Sequence, residues 1–156
     1  MNEKIDDAKI SGEFRVEHFR DGKLLSDTGW IKNTIVNGSF AIFSARAGGI
    51  SATQFTYLAL GETATAPAAT QSALTLEIST SGLARAAAAV TQVTTTQPND
   101  TLQLAYTWTA SGSKTVEEVG VFNASSGGVM AARGLTTTKS LVTNDQLSVT
   151  YKIKFA

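Results

Sequence analysis

Few side chains in this sequence could do chemistry, and their spacing brings few of them together. There is a single histidine, His18, and no cysteine in 156 residues. One histidine cannot form a multi-histidine metal site, and without cysteine there is no thiolate nucleophile and no cysteine-based zinc site. His18 alternates in register with Phe14 and Val16, so a core or edge histidine is its plainer reading. Carboxylates pair at Asp6-Asp7 and Glu117-Glu118, but neighbours on a strand point to opposite faces, so Glu117 and Glu118 cannot converge on one site. Neither a Gly-rich phosphate loop with its Lys nor a Gly-x-Ser-x-Gly elbow is present. No catalytic residue, cofactor-binding residue or metal ligand is therefore assigned. The expectation is a protein that is not an enzyme and uses no cofactor.

Glu118 stands apart from the other carboxylates. On a strand over Val116–Phe122 it shares parity with Val116, Gly120 and Phe122. If that face is inward, Glu118 is buried and needs a cation or a hydrogen-bond donor. Arg133, just past the Gly127-Gly128 turn, and Arg85 are the candidates. The opposite parity, with Glu117, Val119 and Val121 inward, fits the pattern too; on either reading the glutamate is structural. Trp30, Tyr106 and Trp108 could stack on a sugar, although their strand positions make core aromatics the plainer reading.

Charge patterning narrows the class of protein further. Thirteen basic and thirteen acidic residues leave no formal net charge, which argues against direct nucleic-acid binding and against a polybasic membrane anchor. The start, Met1-Asn2-Glu3-Lys4-Ile5-Asp6-Asp7, is not a signal peptide, and no apolar run has the length of a membrane span. These features predict assembly in the cytoplasm of the producing cell. Residues 1–32 are dense in charge, whereas from Gly48 to Ser113 the only charged side chains are Glu62, Glu77, Arg85 and Asp100. That stretch reads either as a Thr- and Ser-coated β-surface or as a region that packs on other subunits, because interface centres are depleted of charge. The length favours one domain. We expect an N-terminal arm at 1–11, ordered on a partner, followed by a single domain at 12–156.

The elements that must position these groups are mostly strands. Phe14, Val16 and His18 alternate with polar residues, Asp21-Gly22 signals a hairpin turn, and a second strand is expected from Lys23 to Ile31. Val36, Phe40, Phe43 and Ala47 fall on one helical face, with Asn33 or Thr34 as cap and Gly48-Gly49 as stop, which predicts one short helix at 36–47. Further strands are expected over Phe55–Gly61, Ala86–Val93, Thr101–Thr109, Val116–Phe122 and Val129–Ala132, with a helical turn around Thr70–Leu76. The cleanest alternation is the last: Leu147, Val149, Tyr151, Ile153 and Phe155 against Gln146, Ser148, Thr150, Lys152 and Lys154. Short strands separated by regular turn signals predict an all-β fold, an antiparallel β-sandwich or jelly-roll-like barrel.

Several of these segments also resemble a family. Tyr57-Leu58-Ala59-Leu60-Gly61, the loop through Ala69, Thr70-Gln71-Ser72-Ala73-Leu74, Glu77 and Arg85 form one block. Thr115 to Ala124 followed by Gly127 to Arg133 form another, and Gly12 to Val16 with Asp21-Gly22-Lys23, Trp30 and Asn33 a third. Together they resemble tailed-bacteriophage virion structural proteins, both small capsid decoration (cement) proteins and the attachment domains of phage tail and tail-collar fibres. The resemblance implies location on the outer surface of the phage particle. A stand-alone domain of this size suits a decoration protein bound to the major capsid protein lattice. The alternatives are a tail, neck or tail-fibre attachment protein and a carbohydrate-binding adhesin module. The low-charge stretch implies a homo-oligomer, and the resemblance suggests a trimer, since decoration proteins often sit at threefold positions.

Overall fold

The alternation at the C-terminal end sets the centre of the fold. In the computed structural model, which describes residues 9–156, Leu147, Val149, Tyr151 and Ile153 are fully buried on β11 (Gln146–Phe155). β11 pairs antiparallel with β1 (Ile10–Arg20) on one side and β8 (Thr101–Thr109) on the other. β2 (Lys23–Asp27) and β3 (Ile31–Lys32) pair with β1, and β7 (Ala89–Val93) closes the far edge. The resulting sheet runs β2-β1-β11-β8-β7, with β3 also on β1. The second sheet runs β4-β10-β9-β5-β6, built from β4 (Thr34–Ile35), β10 (Met130–Leu141), β9 (Lys114–Phe122), β5 (Tyr57–Gly61) and β6 (Ala86–Ala87). The two antiparallel sheets make the expected all-β sandwich.

Between the sheets, Phe14, Val16, Leu104, Trp108, Leu147, Val149, Tyr151 and Ile153 meet Leu58, Leu60, Val116, Val119, Val121 and Ala132. Phe14 stacks on Tyr151 with centroids 5.4 Å apart. Burial of a large apolar side chain contributes on the order of 1.5–3 kcal/mol, so this layer is the main source of stability.

Several boundaries depart from expectation. The strand expected from Lys23 to Ile31 is two strands, because Gly29 turns the chain at φ +64°. The turn before it forms as expected: Asp21 and Gly22 both take positive φ, as a two-residue hairpin of the primed type requires. The helix α1 spans Ser39–Ala47 and starts later than expected, since Thr34, Ile35 and Val36 bond to β10 instead. Gly38 caps it, not Asn33 or Thr34, and its packed side is Ile42 and Phe43, while Phe40 is exposed. No helical turn forms at 70–76. The strand expected over Ala86–Val93 divides at Ala88 and serves both sheets. Of the arm expected at 1–11, residues 1–8 lie outside the described residues, and Ile10 and Ser11 open β1 opposite Phe155 and Lys154.

Candidate functional site

The centre of the five-stranded sheet, around Glu118–Phe122 of β9, is buried on both faces, which resolves the parity of Glu118. Val119 and Val121 point into the main core, so Glu118, Gly120 and Phe122 lie on the outer face. That face is covered by the long segment Glu62–Arg85. Leu74 packs over Gly120, where an added Cβ would come within 2.8 Å of the leucine, and Val36, Ala59, Phe122 and Met130 complete a second small core.

The segment is fastened by two ion pairs. Glu118 and Arg133 are both wholly buried and 2.5 Å apart. They sit on neighbouring strands in a diagonal relation, because Arg133 lies opposite Gly120. Arg133 donates from Nε to Glu118 Oε2 at 2.6 Å, from Nη1 to Gln71 Oε1 at 2.9 Å and from Nη2 to the Thr65 carbonyl at 2.8 Å. Glu118 Oε1 accepts from the Leu76 amide at 3.2 Å and from Thr63 Oγ1 at 3.3 Å. A Cβ at Gly61 would come within 2.2 Å of that oxygen, so only glycine fits opposite Glu118. The second pair is Arg85 with Glu77: Nε to Oε1 at 2.8 Å and Nη2 to Oε2 at 2.7 Å. Arg85 Nη1 also donates to the carbonyls of Ala124 and Gly127, and its guanidinium lies 3.6 Å above the Phe122 ring. Gly61, Gln71, Leu74, Glu77, Arg85, Glu118, Gly120 and Arg133, which carry the family resemblance, are thus the parts of one clamp. Of the two candidate partners of Glu118, Arg133 is the one used.

His18 belongs to a third cluster that no sequence spacing announces. Its Nε2 lies 2.8 Å from Asp145 Oδ2, and Arg20 grips the same carboxylate with Nε and Nη2, each at 2.8 Å. The Val142 amide adds a donor at 3.0 Å. The Arg20 hydrogen bonds, more than any other contact, hold the Asp145 carboxyl well below the usual carboxylate range. The cluster ties the end of β1 to the β10–β11 turn. Lys139 is also buried and donates to Ser26 Oγ at 3.0 Å and Thr137 Oγ1 at 2.9 Å; burial lowers its pKa. Asp27, held by Arg15 and the Gly29 amide, is lowered to about 2.

The aromatic candidates separate. Trp108 is core, and its indole donates to the Ala84 carbonyl at 2.8 Å. Tyr106 packs on it edge-on with centroids 4.8 Å apart, and Trp30 is partly exposed with Lys152 Nζ 4.1 Å over its ring. Glu117 accepts from Thr138, and Asp6-Asp7 lie outside the described residues. Among the described residues no group of His, Asp and Glu is arranged to hold a metal ion, and no helix is long and apolar enough to cross a membrane.

All four charges between Gly48 and Ser113 are engaged within the chain. Glu62 pairs with Lys114 at 3.0 Å, Glu77 with Arg85, and Asp100 accepts from the amides of Thr95, Thr96 and Gln97. The exposed side chains of this stretch are neutral, and they include Ile50, Leu76, Val90 and Tyr106. The arrangement stiffens a sandwich, and the exposed side chains between Gly48 and Ser113 are neutral.

A family model described as Gp80, podophage GP4 fiber I protein gp80, matches residues 32–153. No curated protein and no solved structure matches the chain.

Proposed function

The chain belongs to the family of the podophage GP4 fiber I protein gp80 and is a structural protein of the phage virion, and from that premise we propose that it is a non-enzymatic component of a tail fibre or its attachment. The observation that carries this reading is the match over residues 32–153 to a family described as a fibre protein. The clamp supports it: ion pairs, glycines and the covering segment are spent on rigidity, as a load-transmitting module needs. Its partners are other tail proteins and further copies of itself, offered through the neutral face between Gly48 and Ser113.

Decoration of the major capsid protein lattice is the second reading. The resemblance of Tyr57–Gly61 and Thr115–Arg133 extends to small head proteins as well as to fibre attachment domains, and decoration takes second place because the matched family is described by a fibre. Quantitative mass spectrometry of purified particles separates the two. A copy number matching the symmetry of the tail is expected, whereas a copy number scaling with the capsid lattice overturns the fibre reading.

A further inference from the structure

The start of β1 borders a groove that is both apolar and basic. Ile10, Ile35 and Phe40 line a space of about 700 Å³. Phe40, on α1, is nearly half exposed. Lys32, Lys152 and Lys154 line the same space, against a single carboxylate, Glu13. The strand register gathers these charges: Glu13 lies between Lys32 on β3 and Lys152 on β11, and Ser11 lies opposite Lys154. Among the described residues none of the three lysines has an ion pair. Lys152 rests on the Trp30 ring, and Lys154 donates to Thr96 Oγ1 at 3.2 Å. β3 reaches β1 only at Glu13 and Phe14, so among the described residues no strand flanks Ile10 and Ser11 on the side away from β11.

The chain itself supplies an occupant of matching chemistry. Residues 1–8 read Met1-Asn2-Glu3-Lys4-Ile5-Asp6-Asp7-Ala8. Three carboxylates against one lysine leave this segment an excess of two negative charges, and three lysines against one glutamate leave the groove an excess of two positive charges. Ile5 adds an apolar side chain among the acids. Position agrees with charge. The segment runs into Lys9, whose carbonyl accepts from the Ala156 amide at 3.1 Å, and then into Ile10, which lines the groove. Lys32 and Lys152 stand opposite Glu13, three residues along β1 from Ile10, which is about 10 Å at the rise of a strand. Eight extended residues span roughly 26 Å, enough to turn back and reach both. The groove beside β7 offers Arg46 as its single cation among the described residues, and it lies across β11 and β8 from β1.

We propose that residues 1–8 fold back over this groove of their own chain, with Ile5 against Phe40 and Ile35 and with Asp6 and Asp7 facing Lys32, Lys152 and Lys154. The segment then neutralises a basic wall and covers the exposed aromatic of α1. An arm expected to order on a partner is held by its own domain instead. Exposed ion pairs contribute little one by one, so the contact depends on several of them acting together with the burial of Ile5. It weakens as salt is raised, because salt screens exposed charges. The inference is independent of the fibre reading and of self-association.

The test is zero-length carbodiimide cross-linking of the full chain, mixed from unlabelled and isotope-labelled protein and followed by peptide mapping. Amide links from Asp6 or Asp7 to Lys32, Lys152 or Lys154 within one copy are expected. Links of these carboxylates to Lys9 alone, links found only between labelled and unlabelled copies, or no links at all overturn the inference. A thermal melt supplies the second measurement. A chain lacking residues 1–8 is expected to melt a few degrees below the full chain at low salt, and the gap is expected to close as sodium chloride is raised. Equal melting temperatures at low salt, or a gap that salt leaves unchanged, also overturn it. Neither measurement bears on copy number per particle, which tests the fibre reading separately.

Discussion

Arg133 has no exposed surface, yet every nitrogen of its guanidinium has an acceptor: Glu118, Gln71 and the Thr65 carbonyl. A buried ion pair is a weak source of net stability, but losing one partner strands the other in low dielectric. Arg133→Met is therefore expected to cost about 3–5 kcal/mol, and the double variant Glu118→Leu/Arg133→Met to recover much of that loss. Urea unfolding of the two single variants and the double variant checks it; additive losses would mean that the pair is not coupled. Asp145 makes a different prediction. Its folded pKa is depressed, chiefly by Arg20, so it contributes stability that is fully present above the ordinary carboxylate value of about 4. That contribution is lost as pH falls through the folded value. Asp27, lowered to about 2, acts in the same direction. Stability measured by thermal melts should thus fall steeply between about pH 4 and pH 2, and Asp145→Asn should flatten that slope while lowering stability at pH 7.

The segment Glu62–Arg85 contains little regular secondary structure and is held by its side chains. Arg85→Ala removes its bonds to Glu77, to the carbonyls of Ala124 and Gly127, and its contact with Phe122. Hydrogen exchange should then speed up across 62–85 while β1, β8 and β11 keep their protection; uniform loss over all strands would mean that the clamp is inseparable from the core. The legibility of each element in the sequence follows from what its inward positions carry. β11 is readable because Leu147, Val149, Tyr151 and Ile153 alternate without interruption. The long reach of β10 past Ala132 is not, because Arg133 and Lys139 are buried where an apolar residue would signal a strand, and its register shifts between Leu135 and Lys139. The helix start is misplaced because Thr34 and Ile35 join a strand pair with Arg133 and Ala132, a contact about a hundred residues away in sequence that no local propensity encodes. Glu118 with Arg133 was within reach of pattern reasoning, since one hairpin joins them. His18 with Asp145 was not, since 127 residues separate them.

For the whole molecule, the distribution of charge decides what kind of association is possible. The formal net charge is zero, and the charged residues concentrate on β1, β2 and the outer positions of β11, as with Arg15, Glu17, Asp27, Lys152 and Lys154. At the opposite edge of the same sheet β7 itself carries no charge, exposed Arg46 lines the groove beside it, and the four charges of the intervening stretch are bonded inside the chain. Salt at physiological strength screens exposed charges beyond about 8 Å, but it has little hold on apolar contact and strand pairing. Contact through the charged side would therefore weaken as salt is raised, and contact through the neutral edge would not. Association of the full chain, followed by sedimentation from low to high sodium chloride, is expected to keep a constant midpoint or to strengthen slightly. A midpoint that climbs with salt would place the contact among charged side chains, either Arg15, Glu17 and Asp27 on the β1–β2 side or Arg46 on α1.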